Sequence, residues 1–141
     1  MIGLIEKFDP IKSFTHIALF GGPPSGLMVN PGVPVRSVTE FTAYSQAQPA
    51  GLSYGSAGHG THSHLISEMF RMRTGAKLVH IPYKGTGPAV ADVVAGHLPA
   101  IFAGTAAIVQ VRAGKTRMLA VTSEKRLAEI PDVPTFAELG L

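Results

Sequence analysis

The residues best suited to bind a ligand are concentrated in one short stretch, Gly-Ser-Ala-Gly-His-Gly-Thr at positions 55–61. Its glycines let a ligand approach the backbone, and the hydroxyls of Ser56 and Thr61 both donate and accept hydrogen bonds. Thr61 is placed to cap a helix, whose first turn carries about four unpaired N–H groups and roughly half a positive charge. We therefore expect this turn to bind a carboxylate or a phosphate. Alternatively, the glycines only shape the turn and Thr61 only caps the helix.

Two more turns have small side chains, at residues 83–87 (Tyr-Lys-Gly-Thr-Gly) and 103–105 (Ala-Gly-Thr). Lys84 could lend positive charge to a bound anion, or it could simply be solvated. Tyr83 could form an apolar wall or pack in the core. Three such turns favour ligand binding if the fold brings them together.

Motifs for phosphate hydrolysis and acyl transfer are incomplete in the same stretch. A phosphate loop needs a lysine where Thr61 stands, and a nucleophile elbow needs a glycine where Tyr54 stands. The turns also lack paired carboxylates for acid–base catalysis. We predict binding without chemistry, hence no enzyme and no catalytic residue. A small hydrolase that uses Ser56 and a histidine remains an alternative.

Three nearby histidines, His59, His62 and His64, suggest a metal site. If a helix begins at Thr61, however, residues 62 and 64 point about 200° apart and cannot chelate one ion together. We predict no metal site and no cofactor. His64 and Glu68, four residues apart, are interpreted as a solvated surface contact.

The elements that must position these turns alternate between strand and helix. A Ser37-x-x-Glu40 capping box predicts a helix that ends near residue 48, and the helix after Thr61 is expected to have Leu65, Met69 and Met72 on its apolar face. This alternation predicts an α/β fold with a parallel-type sheet flanked by helices, whose strand-to-helix turns share one edge. The strands are predicted at 15–20, 27–30, 52–54, 78–81, 98–102 and 117–122, with later helices at 88–94 and 106–112.

Length and composition narrow the class of protein. The 141 residues fit one domain, and 45% hydrophobic with only 15% charged residues excludes a disordered chain. The net charge of +3 comes from scattered basic residues, so no nucleic-acid partner is expected. There is no cysteine, no apolar run long enough to span a bilayer, and no secretory signal at the start.

Four segments carry a resemblance to a known family: FDPIKSFTHIA at 8–18, LSYGSAGHGT at 52–61, HIPYKG at 80–85, and LAVT at 119–122 with PDVPT at 131–135. Their order and spacing resemble the Bug or TctC family, the extracytoplasmic solute receptors of tripartite tricarboxylate transporters. The resemblance implies one lobe of a two-lobed, type II-like periplasmic-binding-protein fold. Such receptors close on a small carboxylate and deliver it to membrane permease subunits in the periplasm.

The resemblance also implies the ligand-binding residues, through backbone amides and small hydroxyls. Family members commonly have an aspartate where this chain has residues 103–105, Ala-Gly-Thr, so the ligand is expected to differ from the common ones. The implied ligand-binding residues are Ser56, Ala57, Gly58, His59, Gly60 and Thr61 in the first turn, Lys84, Gly85 and Thr86 in the second, and Thr105 in the third.

About half of a mature family member is represented, so we expect a fragment or a truncated gene product. Residues 1–30 are predicted to be crossover strands associated with the first lobe, 31–130 the α/β ligand-binding lobe, and 131–141 the start of the return to the first lobe. Exposed strand edges could drive formation of a homodimer. The alternative function is therefore an oligomerising interaction module that binds no ligand.

Overall fold

The computed structural model describes residues 23–104 and 107–141. Strands and helices alternate within them, which confirms the predicted α/β class. No helix in these two ranges is both long and apolar enough to cross a bilayer. The elements are β1 (Ser25–Val29), α1 (Val38–Ala47), β2 (Leu52–Ser56), α2 (His62–Thr74), β3 (Leu78–Pro82), α3 (Thr86–Ala95), β4 (Ala100–Gly104), α4 (Ile108–Arg112) and β5 (Arg117–Val121).

The strands form one sheet in the order β3-β2-β4-β1-β5. β2 pairs in parallel with both β3 and β4, as predicted. β1 is antiparallel to both of its neighbours, β4 and β5, so the sheet is mixed and the prediction of parallel pairing is wrong for this strand.

The course of α1 explains why β1 runs in the opposite direction. Before α1, the carbonyl of Val35 accepts a hydrogen bond from Arg117, which begins the edge strand β5. Near the end of α1, the Ser45 hydroxyl accepts one from the amide of Lys77, just before the other edge strand, β3. α1 therefore crosses below the sheet instead of running along it. The chain re-enters β2 at the end where it left β1, and β2 runs opposite to β1.

Two hydrophobic clusters cover the two faces of the sheet, as alternation along a strand requires. One cluster contains Leu27 and Val29 of β1 and Phe102 of β4. The other contains Met28 of β1 and Ile101 of β4. All five are fully buried. The central strands are thus covered on both sides, and they hold the strand ends rigidly in place.

The predicted apolar face of α2 is wrong. Leu65 and Met69 are each 55% exposed and Met72 is 78% exposed, whereas Ser67 and Phe70 are buried. Small serines let the helix approach the sheet closely, and the ring of Phe70 then packs 5.4 Å from that of Phe102. The spacing of Leu65, Met69 and Met72 therefore marks the solvent side of this helix.

The segments on either side of the predicted ligand-binding lobe are partly described. β1, inside the predicted 1–30 segment, is an inner strand of this sheet. At the other end, Thr135 bridges to Val121 of β5. The predicted strand at 15–20 lies outside the described residues. The domain boundaries stay a prediction.

Candidate functional site

The strand ends that precede the predicted turns meet at one edge of the sheet. β2, β3 and β4 run in the same direction, so Ser56, Pro82 and Gly104 end at the same side. β1 starts there, because Ser25 pairs with Gly104. Thr122, just after β5, donates its amide proton to the carbonyl of Ser25 at 2.7 Å. The expected common edge is therefore present; Thr105 lies outside the described residues.

The loops after β2 and β3 are joined through their backbones. The amide of Tyr83 donates to the carbonyl of Ser56 at 3.0 Å, and the amide of Gly85 donates to that of Ala57 at 3.1 Å. Gly58 has a φ of +133°, and a Cβ there would lie 3.2 Å from the Tyr83 carbonyl oxygen. Glycine at this position therefore permits both the backbone conformation and the close approach of the two loops.

Several polar groups of the first loop bond to one another. The amide of Ala57 donates to the Ser63 hydroxyl at 3.0 Å, and that of Gly58 donates to the Ser56 hydroxyl at 3.1 Å. Thr61 stands at the N-cap of α2, as expected, but its hydroxyl donates to the carbonyl of Gly58 and caps no helix amide. These groups shape the loop, and a ligand would have to use other donors.

Other backbone donors stay open at this edge. Within the described residues, the N–H groups of His59 and of the first turn of α2, His62 to His64, have no protein acceptor. The same holds for the N–H groups of Thr86 and Gly87 at the start of α3. Both helix starts place positive dipole ends at this edge, which suits an anion.

The two side chains predicted beside the second turn differ in their surroundings. Lys84 is exposed and makes no ion pair within the described part of the chain. Tyr83 donates its hydroxyl to Asp92 at 2.6 Å. This bond, with partial burial, raises the Tyr83 pKa to about 12. Tyr83 therefore anchors the loop to α3, and Lys84 is an exposed cation beside it.

Ser56 and His80 form a close pair, with the hydroxyl oxygen 2.6 Å from Nε2 of the ring. The pairing resembles part of a hydrolase site, but Ser56 is fully buried and also bonds to Gly58. A substrate cannot reach this hydroxyl, so the hydrolase alternative gains no support. Burial first, then the neighbouring imidazoles of His64 and His59, lower the pKa of His80.

The histidines group differently from the sequence-based expectation. His62 points toward β1, with Nδ1 3.4 Å from the Ser25 hydroxyl. His80 takes its place beside His59 and His64. Sequence reasoning missed His80 because it belongs to another strand. A β2–β3 pairing aligned on Tyr54 and His80 would have placed it there.

Glu68 is not the solvated partner of His64 that the sequence suggested. Its carboxylate accepts hydrogen bonds from the Tyr54 hydroxyl at 3.1 Å and from Arg71 at 2.9 Å. The bond from Arg71 is the main reason that the Glu68 pKa lies below its ordinary value. Glu68 therefore fastens α2 to the buried Tyr54.

A second concave surface lies beside this edge. It is an apolar groove of about 440 Å³ between α2 and the C-terminal residues, and it reaches the loop edge only through His62 and Thr122. Its walls include Phe70, Phe136 and Leu141. The groove lacks the glycine-lined backbone of the loops, so the loop edge is the better candidate for an anion.

Residues 5–141 match the model of the tripartite tricarboxylate transporter family receptor, TctC. The chain belongs to this family. The TctC family is described as a receptor family and not as an enzyme family, which agrees with the prediction of binding without catalysis.

TctC relatives and solved structures match nearly all of the described fold. The chain is 37% identical over 135 residues to the UPF0065 protein in the gbd 5'region of Cupriavidus necator, covering 96% of this chain and 41% of that protein. It is 35% identical to protein BugT of Bordetella pertussis, covering 94% and 41%. The solved structure of a periplasmic transporter is similar with a TM-score of 0.84, at 41% identity, covering 94% and 45%.

Two further similar structures were solved with carboxylates. An R. palustris protein with adipate has a TM-score of 0.78 at 34% identity, covering 84% of this chain and 40% of that one. MatC from Rhodopseudomonas palustris, with bound malate, has a TM-score of 0.79 at 27% identity, covering 84% and 41%. The chain thus spans less than half the length of the TctC relatives that it matches.

Proposed function

We propose that this chain forms one wall of a carboxylate-binding cleft in a periplasmic TctC-type receptor, which delivers its ligand to membrane permease subunits. The observation that carries the proposal is the meeting of two helix starts, those of α2 and α3, at one sheet edge where backbone N–H groups lack protein acceptors. Aligned N–H groups bind an anion without an arginine clamp. The similar structures with adipate and malate favour a dicarboxylate.

In this proposal the two loops have different roles. The first loop, Ser56 to Thr61, would be a rigid frame in which His59 and the adjoining start of α2 offer N–H donors. Lys84 would lend positive charge, and the turn at Gly85 and Thr86 would offer the N–H groups of Thr86 and Gly87 as further donors. Thr105 stays a predicted ligand contact. A second lobe would supply the opposite wall, and closure of the two would signal loading.

A matched pair of glycine substitutions tests the site. Gly60 and Gly114 have nearly the same φ, +70° and +69°, and a Cβ at either would meet nothing within 4 Å. Gly60→Ala and Gly114→Ala should therefore each destabilise the fold by about 1–2 kcal/mol. Only Gly60→Ala places a methyl group on the proposed ligand surface, so only that variant should lose about tenfold in carboxylate affinity, equivalent to about 1.4 kcal/mol.

Binding is best measured by NMR titration of the ¹⁵N-labelled chain with malate, adipate and citrate, because amide shifts report weak binding residue by residue. The proposal predicts shifts in residues 57–64 and 84–87 that saturate with at least one of the three. Absence of saturable shifts at millimolar ligand, or equal loss in both glycine variants, would contradict it.

One observation favours a second candidate, an oligomerising module without ligand function. α2 exposes Leu65, Met69 and Met72, and the edge strand β3 exposes Val79 and Ile81. Apolar side chains on a helix and an unpaired strand edge both favour self-association. A concentration-dependent dimer in sedimentation velocity that dissociates with Met69→Lys, together with no carboxylate shifts, would favour this candidate.

A further inference from the structure

Three histidines that are distant in sequence come together beside the first loop. His59 belongs to the loop, His64 to the first turn of α2 and His80 to β3. The rings of His64 and His80 stack with centroids 4.0 Å apart, and His59 meets His80 edge-on at 4.9 Å. One ring nitrogen of each lies within 4.8 Å of the others.

At least one of these rings presents a lone pair. The amide of Gly60 donates to Nδ1 of His64 at 3.1 Å, so this nitrogen carries no proton. Gly60 is exposed, and its amide can turn to water if a cation takes the lone pair. The single proton of the Ser56 hydroxyl can go to Nε2 of His80 or to the carbonyl of Gly58, so the hydroxyl can pair with either tautomer of that ring.

An aromatic ring and a fixed negative charge border the three imidazoles. Tyr54 stacks on His80 with ring centroids 5.1 Å apart, which fixes that ring. Glu68, one turn after His64, has a lowered pKa owing mainly to Arg71, so it is ionised at neutral pH. A carboxylate close to histidine ligands offsets part of the charge of a bound cation.

We propose that His59, His64 and His80 form a binding site for a divalent transition metal ion such as Zn²⁺, Co²⁺ or Ni²⁺. Imidazole nitrogens select these ions over Mg²⁺ and Ca²⁺, which require oxygen ligands. Three protein ligands leave a fourth position open to water or to an anion. The site goes beyond the proposed receptor function, since it requires no carboxylate.

To hold an ion, the nitrogens must approach one another and the His64 ring must turn out of its stack on His80, because a metal lies in the plane of each imidazole that binds it. A Zn–N distance of about 2.0–2.1 Å in a tetrahedral site places ligand nitrogens about 3.4 Å apart. The nitrogens, which lie within 4.8 Å of one another, therefore have to close by at most about 1.4 Å. His59 is exposed and lies in the loop, so its side chain can rotate inward without disturbing the core.

The experiment is a titration of the full, untagged chain with Co²⁺ and Zn²⁺ in a buffer free of carboxylates and chelators. Co²⁺ bound by three imidazoles and water should give the intense visible absorption of a four-coordinate complex, at one equivalent per chain. Calorimetry with Zn²⁺ should give the same stoichiometry. Because carboxylate binding is measured separately, failure of either proposal leaves the other standing.

Single substitutions identify the ligands. His59→Ala and His64→Gln should each lower metal affinity by more than about a hundredfold, since loss of an outer-shell partner alone costs about 10–100-fold. His59 is exposed, so His59→Ala is expected to keep the fold, and its thermal unfolding without metal checks this. His97→Ala, which changes an exposed histidine outside the cluster, is the control. No stoichiometric binding, or equal loss in His97→Ala, would overturn the proposal.

Discussion

The loops after β2 and β3 have the same plan of strand, glycine turn and helix, yet they hold their polar groups differently. In the first loop, the amides of Ala57 and Gly58 bond to serine hydroxyls of the same unit. In the second, the amides of Tyr83 and Gly85 bond to the backbone of the first loop. The first loop is thus supported by its own Ser56 and by Ser63 at the start of α2, and the second is supported by the first.

The comparison indicates how the proposed anion site can be rigid and still have N–H donors without protein acceptors. The bonds within the first loop fix its shape before a ligand arrives, and a preorganised site loses less entropy on binding. The second loop adds Thr86, whose amide and hydroxyl have no partner among the described residues. Changes in the first loop should therefore affect stability more than matched changes in the second.

The largest difference in stability is expected between the variants Gly58→Ala and Gly85→Ala. Both glycines have strongly positive φ angles, +133° and +118°, which cost about 1–3 kcal/mol for another residue. Only at Gly58 would the new Cβ also press on a backbone oxygen, that of Tyr83 at 3.2 Å. We expect Gly58→Ala to be the more destabilising by about 1 kcal/mol or more in urea unfolding. Equal losses of stability in the two variants would show that the close approach of the loops does not contribute to stability.

A smaller difference in stability is expected when one hydroxyl is removed from the helix start that follows each loop. Ser63→Ala leaves the partly buried Ala57 amide without its acceptor, which costs about 1–3 kcal/mol. Thr86→Ala removes an exposed hydroxyl without a partner and should change stability by less than about 0.5 kcal/mol. Chemical denaturation of both variants under the same conditions measures the difference. Similar values for the two would contradict the account of a self-supported first loop.

The smallest effect concerns the tyrosine that anchors the second loop. Tyr83→Phe removes the bond to Asp92 and should cost about 1 kcal/mol at neutral pH. Because the Tyr83 pKa is raised from 10.0 to about 12, the folded state keeps a proton that the unfolded state loses between these values. The stability that this bond supplies is therefore complete below pH 10 and declines as the pH rises toward 12.

Between pH 10 and 12, the free energy of unfolding should fall less steeply with pH for Tyr83→Phe than for the wild type. Tyr54 provides the contrast, since its pKa is also raised to about 12 but chiefly by burial. Both tyrosines therefore contribute to the pH dependence of the wild type, and Tyr83→Phe should remove only the contribution of Tyr83. An unchanged slope would mean that Tyr83 is not held by Asp92 in solution.

Much of the fold follows from local sequence patterns. The Ser37 capping box does begin α1, since its hydroxyl accepts from the Glu40 amide at 3.1 Å. The glycine turn before α2 correctly placed the start of that helix, whereas α3 begins at Thr86, two residues before the predicted start at 88. The direction of β1 could not be predicted, because it depends on a helix that crosses below the sheet, and no local pattern encodes that path.

The site was predictable only where neighbours in sequence are also neighbours in space. The 57–61 loop is such a case. The partnership of Ser63 with Ala57 and the cluster of His80 with His59 and His64 depend on how α2 and β3 pack against β2. Hydrophobic spacing gave the wrong side of α2, because serines and Phe70 pack closely on the sheet there.

The position of β1 between β4 and β5 has a consequence for how the chain folds. Ser25 pairs with Gly104 and Gly26 with Val121, partners that follow it by about 80 and 95 residues. During synthesis β2 and β3 can pair early, whereas β1 must wait for both of its neighbours. Until then the unpaired edge of β4 stays open to other chains, so slow insertion of one strand is the step at which aggregation competes with folding.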